Sequence, residues 1–145
     1  SHFGVDTLLE QEAIKHGKVL KSMESIEDAL VSLASASLSE DIQHLKSVLN
    51  QEPADKNEEG TELDLLVAWI TGDTRGSAKI VAESMTPHEY QNLIIKRNNK
   101  WHPKIQKVLK SGKTTLVVVG LAHLVGKGNI IDKLKRSGYK VKRVQ

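Results

Sequence analysis

The sequence predicts an α/β fold, helix-rich with a small, mainly parallel sheet, in one domain spanning residues 1–145. Three observations carry this expectation. Thr114-Thr115-Leu116-Val117-Val118-Val119 is a run of β-branched and apolar residues ending at Gly120, the pattern of a fully buried strand. Tyr139-Lys140-Val141-Lys142-Arg143-Val144 alternates apolar and basic residues, as a half-buried strand does. Between them, Ile130, Ile131 and Leu134 recur at helical spacing and stop at Gly138. Residues 114–144 therefore spell strand–helix–strand, and a right-handed crossover would make the two strands parallel.

The remaining elements follow in order. Residues 4–16 read as a helix stopped by Gly17. Val19 to Met23 is a short strand candidate. Ser25 is placed to cap the next helix, with Asp28 answering from the third helical position as in a capping box. Ile26, Leu30, Leu33, Ile42, Leu45, Val48 and Leu49 continue the helical spacing, with an interruption between Ser35 and Ser39. Gln51 to Gly60 is polar, acidic and contains Pro53, so a surface loop is expected there. Leu63, Leu66, Val67 and Ile70 mark an amphipathic helix closed by Gly72, and Asp73 or Thr74 caps a short helix through Met85. Thr86-Pro87-His88-Glu89 combines a capping Thr, Pro at the first helical position and Glu at the third. The helix it opens carries Tyr90, Ile94, Arg97, Trp101, Ile105 and Val108 on one stripe. Pro103 is expected to kink or restart it, and Gly112 to end it.

Composition narrows the chemistry. A chain of 145 residues can bury a core, and with only 3% aromatics Leu, Val, Ile and Ala must build it. The absence of cysteine removes disulfides, Cys-ligated zinc and thiol catalysis together. No apolar stretch approaches the roughly 20 residues of a membrane span, and no signal-peptide pattern is present. The chain opens Ser1-His2-Phe3 without a methionine, as a fragment would, so a soluble, exported or membrane-associated parent all remain open. Charge is polarised: residues 1–95 hold 7 basic and 17 acidic side chains, net −10, and residues 96–145 hold 14 basic and 1 acidic, net +13. One reading is a basic surface for nucleic acid, anionic lipid or an acidic partner. The preferred expectation is that the two halves pack together and their opposite charges attract. The lysines lack the interleaved aromatics that a single-strand binder uses, so nucleic acid ranks last among partners.

Several blocks together carry a family resemblance. They are Gly4-Val5-Asp6, Gly17-Lys18, Met23-Glu24-Ser25, Ala68-Trp69-Ile70-Thr71-Gly72-Asp73 and Lys96-Arg97-Asn98-Asn99-Lys100-Trp101. Val119-Gly120-Leu121-Ala122-His123-Leu124-Val125-Gly126 and Gly138-Tyr139-Lys140-Val141 complete the series. In this order they resemble the C-terminal half of the TraB/GumN family, to which the Tiki proteases are related. The resemblance implies an α/β fold and a site built from two Gly-x-x-His motifs and a glutamate after a short strand. In Tiki-like members it implies metal-dependent peptidase activity on a partner protein's N-terminal region; in the plasmid-encoded TraB branch it implies shutdown of a peptide pheromone. Only Gly120, His123 and Glu24 match that site pattern. The chain has no second Gly-x-x-His, so it is expected to be the C-terminal part of a longer domain, carrying half a site.

His123 is the first candidate, as metal ligand or catalytic group, because imidazole is the commonest metal ligand and titrates near neutrality. Glu24 is a candidate metal ligand or general base, with a helix N-terminal acid as the structural alternative. Arg97 shares a stripe with Ile94 and Trp101, where it either clamps a substrate carboxylate or pairs with Glu24. Asn98 and Gly120 complete the substrate-binding candidates, Asn98 with backbone hydrogen bonding as its other expected role, Gly120 for close backbone approach or a positive φ. His44, His88 and His102 read as surface residues, Trp69 and Trp101 as core or helix-interface residues, and His2 carries no weight.

The functional expectation is a metal-dependent hydrolase, most plausibly a peptidase acting on a peptide or protein, with His123 and Glu24 on a divalent metal (manganese, cobalt or zinc). Two protein ligands fall short of the three usual at catalytic zinc, so activity of this chain alone is expected to be low or absent. The alternative is a non-catalytic peptide- or partner-binding module of the pheromone-shutdown type. Two or three strands leave open sheet edges, so a homodimer or an exchanged element is also expected.

Overall fold

The structure is a computed structural model that describes residues 4–33, 42, 46 and 57–144. The first element, α1 (Val5–Lys15), ends where Gly17 takes φ +62°. Ser25 opens α2 (Ile26–Leu33): its Oγ accepts from the Asp28 N–H at 3.1 Å. Asp28 does not complete the capping box; its carboxylate takes Lys100 Nζ at 2.9 Å instead.

Next comes α3 (Asn57–Thr71), which begins inside the stretch expected to be a loop. Gly72 closes it at φ +70°. Asp73 then caps α4 (Thr74–Glu83), its side chain accepting from the N–H groups of Arg75 and Gly76. Thr86 and Glu89 form the reciprocal capping box that starts α5 (Pro87–Glu89). This turn runs directly into a π-helical segment (Tyr90–Lys96) and then into α6 (Arg97–Leu109). The departure from α-helical winding therefore lies upstream of Pro103, through which α6 continues. A 3₁₀ turn (Leu121–His123) and α7 (Ile130–Arg136) finish the regular structure, with Asn129 capping α7. The interruption at Ser35–Ser39, His2, His44 and the apolar positions Leu45, Val48 and Leu49 fall outside the described residues.

The α/β expectation is overturned. Among the described residues there is no β-strand and no sheet; the fold is helical. Residues 18–25, 113–120 and 139–144, which contain the three expected strands, run without helix or strand. A strand exists only through the ladder it shares with a neighbour, and none of these segments pairs with another. Far from being buried, Leu116 is 73% exposed. Only the ends of the segments turn inward: Met23, Val119 and Tyr139 pack on the core formed by Trp101, Ile105, Ile130 and Leu134. With no ladder there is no crossover to be right-handed, and the strand–helix–strand unit reduces to α7 between two extended-type segments. A second correction concerns Trp69, which stands on the open face of α3 at 54% exposure while Ala68 turns inward.

Candidate functional site

The site grows from one face of α6. Arg97 and Asn98 lie four and three residues before Trp101, and Ile105 lies four after it, so all of them share one face with Trp101. Ile105 and the Trp101 ring anchor that face in the core, which leaves Arg97 and Asn98 one turn further up, at the core's edge. Two segments meet them there. One is the turn before α2, which carries Glu24. The other is Gly120 to Asn129, which carries His123.

Glu24 and Arg97 form a two-pronged ion pair, Nη2 to Oε1 at 2.6 Å and Nε to Oε2 at 3.2 Å. The Trp101 indole N–H donates to the same Oε2 at 3.2 Å. Both carboxylate oxygens are therefore engaged, in a setting where Glu24 keeps 13% of its side-chain exposure and Arg97 24%. The guanidinium carbon also lies 4.8 Å from the Trp101 ring centroid, a cation–π distance. The Glu24 turn is tied down from a second helical position, because Lys104 Nζ donates to the Met23 carbonyl at 2.7 Å.

His123 also packs on Trp101, with ring centroids 4.4 Å apart and planes tilted by 44°. The imidazole is buried. Its Nδ1 is 2.8 Å from Asn98 Oδ1, and Asn98 Nδ2 donates to the Gly128 carbonyl at 3.0 Å. Burial, reinforced by the nearby Arg97 charge, pushes the His123 imidazole down to about 4; the Glu24 carboxylate opposes this more weakly. The ring is thus neutral at ordinary pH, and Nε2 has no hydrogen bond to any described residue. A neutral imidazole with one nitrogen bonded and the other bare can accept a proton or coordinate a cation.

The sequence-derived candidates divide accordingly. Asn98 touches His123 directly, and Arg97 touches Glu24. Glu24 and His123 share no hydrogen bond or ion pair; Trp101 contacts both. Gly120 has φ −59°, so it needs no positive angle, and a Cβ there would find its nearest neighbour, His123 Cδ2, at 4.0 Å. Sequence reasoning missed two participants. The spacing of Trp101, four residues from Arg97 and three from Asn98, could have found the first. The Gly128 carbonyl is the second, and Gly-Lys-Gly-Asn before an apolar helix was its only signal.

Among the described residues no group of three His, Asp or Glu side chains is gathered to hold a metal ion. The donor chemistry agrees: Glu24 is spent on Arg97 and Trp101, which leaves His123 Nε2 as one open ligand atom. These residues alone do not make a metal cage. No helix among them is long and apolar enough to cross a membrane.

The sequence model of the TraB/PrgY/gumN family matches residues 1–143. No curated protein and no solved structure matches the chain at a significant level.

Proposed function

The chain belongs to the TraB/PrgY/gumN family, and we propose from this that it contributes His123 to a peptidase-type hydrolytic site. The observation that carries the reading is the neutral, buried imidazole held at Nδ1 by Asn98 with Nε2 bare. If that site uses a divalent metal (manganese, cobalt or zinc), His123 Nε2 is the atom of this chain suited to hold it, and other donors complete the set. Glu24 has a different part: it fixes Arg97 and Trp101, and through Trp101 the wall against which the imidazole rests. Arg97 is then a structural partner before it is a substrate clamp. The substrate class is a peptide or protein.

Calorimetric titration of Mn²⁺, Co²⁺ and Zn²⁺ into wild type, His123→Ala and Glu24→Gln tests this. With one ligand atom in place the reading expects weak binding by wild type, its loss in His123→Ala and its retention in Glu24→Gln where the protein is folded. Equal binding by His123→Ala and wild type would sink it.

A second reading, a peptide- or partner-binding module without catalysis, is favoured by the full engagement of the Glu24 carboxylate. It expects peptide capture that weakens as salt rises and ignores chelators. A hydrolytic site responds to chelators and to pH.

A further inference from the structure

The Asn98 side chain has no exposure to solvent, so water cannot substitute for either of its partners. A carboxamide has one end that accepts and one that donates. The Gly128 carbonyl can only accept, so it takes the NH₂ end at 3.0 Å. This turns Oδ1 toward the ring of His123, 2.8 Å from Nδ1. An amide reversed in this site would set two carbonyl-type oxygens against each other, so the orientation is dictated by Gly128.

The loop that carries the Gly128 carbonyl is itself held from several sides. Gly126 and Gly128 take φ of +73° and +72°, angles that favour glycine. A Cβ on Gly128 would run into the Ile95 side chain of the π-helical segment. From the same segment the Tyr90 hydroxyl donates to the Lys127 carbonyl at 2.9 Å, and Asn129 Nδ2 donates to the Gly126 carbonyl at 2.6 Å. The π-helical segment and the glycine loop thus lock together one turn from the imidazole. Segments of this winding are often found at functional sites.

We infer that Asn98 is a positioning residue: pinned by the Gly128 carbonyl, its amide puts the His123 ring proton on Nδ1 and keeps Nε2 bare. The role rests on the reading of His123 as the reacting or ligating group of the site, and replaces the substrate contact expected for Asn98 from sequence. A hydrogen-bond acceptor behind a ligating imidazole fixes ring orientation and tautomer, and its loss typically lowers metal affinity by about 10–100-fold. A mixed tautomer would offer a proton where a lone pair is needed.

The test reads the tautomer in the metal-free full chain, by long-range proton–nitrogen correlation of ¹⁵N-labelled histidine rings near pH 7.5. Wild type is expected to show His123 protonated at Nδ1 and bare at Nε2. In Asn98→Ala that preference is lost, and the proton moves to Nε2, the tautomer free imidazole favours. Asn98→Asp restores an acceptor toward Nδ1, although its second oxygen then faces the Gly128 carbonyl, and where it folds it keeps the proton on Nδ1. Where neither variant folds, the wild-type tautomer decides the matter. A wild-type proton on Nε2, or an unchanged tautomer in folded Asn98→Ala, overturns the inference. Loss of the Nδ1 proton in Asn98→Asp overturns it as well. Because no metal or substrate enters the measurement, failure of the hydrolase reading leaves this result standing, and the reverse.

Discussion

Acidification acts on the site through His123, and the size of that effect can be worked out. His123 titrates near 4 in the folded chain against an ordinary value of 6.5. Between those values the unfolded chain holds one more proton than the folded chain, so stability rises with pH there by up to about 1.4 kcal/mol per unit. The contribution is fully present above the unfolded value and is lost as pH falls toward the folded one. Integrated from pH 7.5 down to pH 5, His123 alone costs the fold about 2 kcal/mol. The assay is urea unfolding followed by circular dichroism at several pH values across that range, on wild type and on His123→Gln. Glutamine does not titrate, so the difference between the two pH profiles isolates the imidazole from the carboxylates. The wild-type curve should fall more steeply by about 2 kcal/mol over the interval. Parallel curves would refute the reasoning, since the imidazole would then titrate alike in both states.

The Glu24–Arg97 pair should respond to removal of either end. Arg97→Met leaves a largely buried carboxylate with only the indole N–H, and a loss of about 3 kcal/mol in urea unfolding is expected; a change under about 0.5 kcal/mol would match an ordinary surface site instead. Gly128→Ala forces a side chain onto a positive φ and against Ile95, so it should cost about 1–3 kcal/mol, whereas Gly120→Ala should stay within about 0.5 kcal/mol. Equal costs at the two glycines would show that the loop is not held as described. The exposed apolar residues Leu116, Val118 and Val144 sit on segments without a ladder, and self-association is the expected outcome. Light scattering at high concentration should report a dimer, and a clean monomer counts against this.

Much of the local structure was legible in the chain. The capping box at Thr86 and Glu89, the Asp73 cap and the stop at Gly17 are set by side chains a few residues from the backbone groups they satisfy. Local signals of that kind survive whatever the rest of the chain does. The strands were not legible in the same way. Thr114 to Val119 has every local mark of a buried strand, yet burial and pairing are supplied by neighbours, and none is present among the described residues. The π-helical winding at Tyr90–Lys96 was hidden for a similar reason, because it is fixed by contacts to the glycine loop some 30 residues away.

The site shows the same division. The stripe on α6 placed Arg97 with Trp101, and an ion pair with Glu24 was one of two roles open to Arg97. The sequence could not say that this pair would use both carboxylate oxygens, nor that Trp101 would contact both Glu24 and His123. It could not orient an amide either: the role of Asn98 depends on a carbonyl from Gly128, and Gly-Lys-Gly-Asn marks a turn there without saying where its carbonyls point.

The central claim is that His123 presents Nε2 while Asn98 holds Nδ1. The most direct measurement is a Zn²⁺ titration of ¹⁵N-labelled protein, watched at the two ring nitrogens of His123. The account predicts that the Nε2 resonance moves with added metal while Nδ1 keeps its proton. A shift that begins at Nδ1, or a silent His123 while exposed His16 titrates, would contradict it.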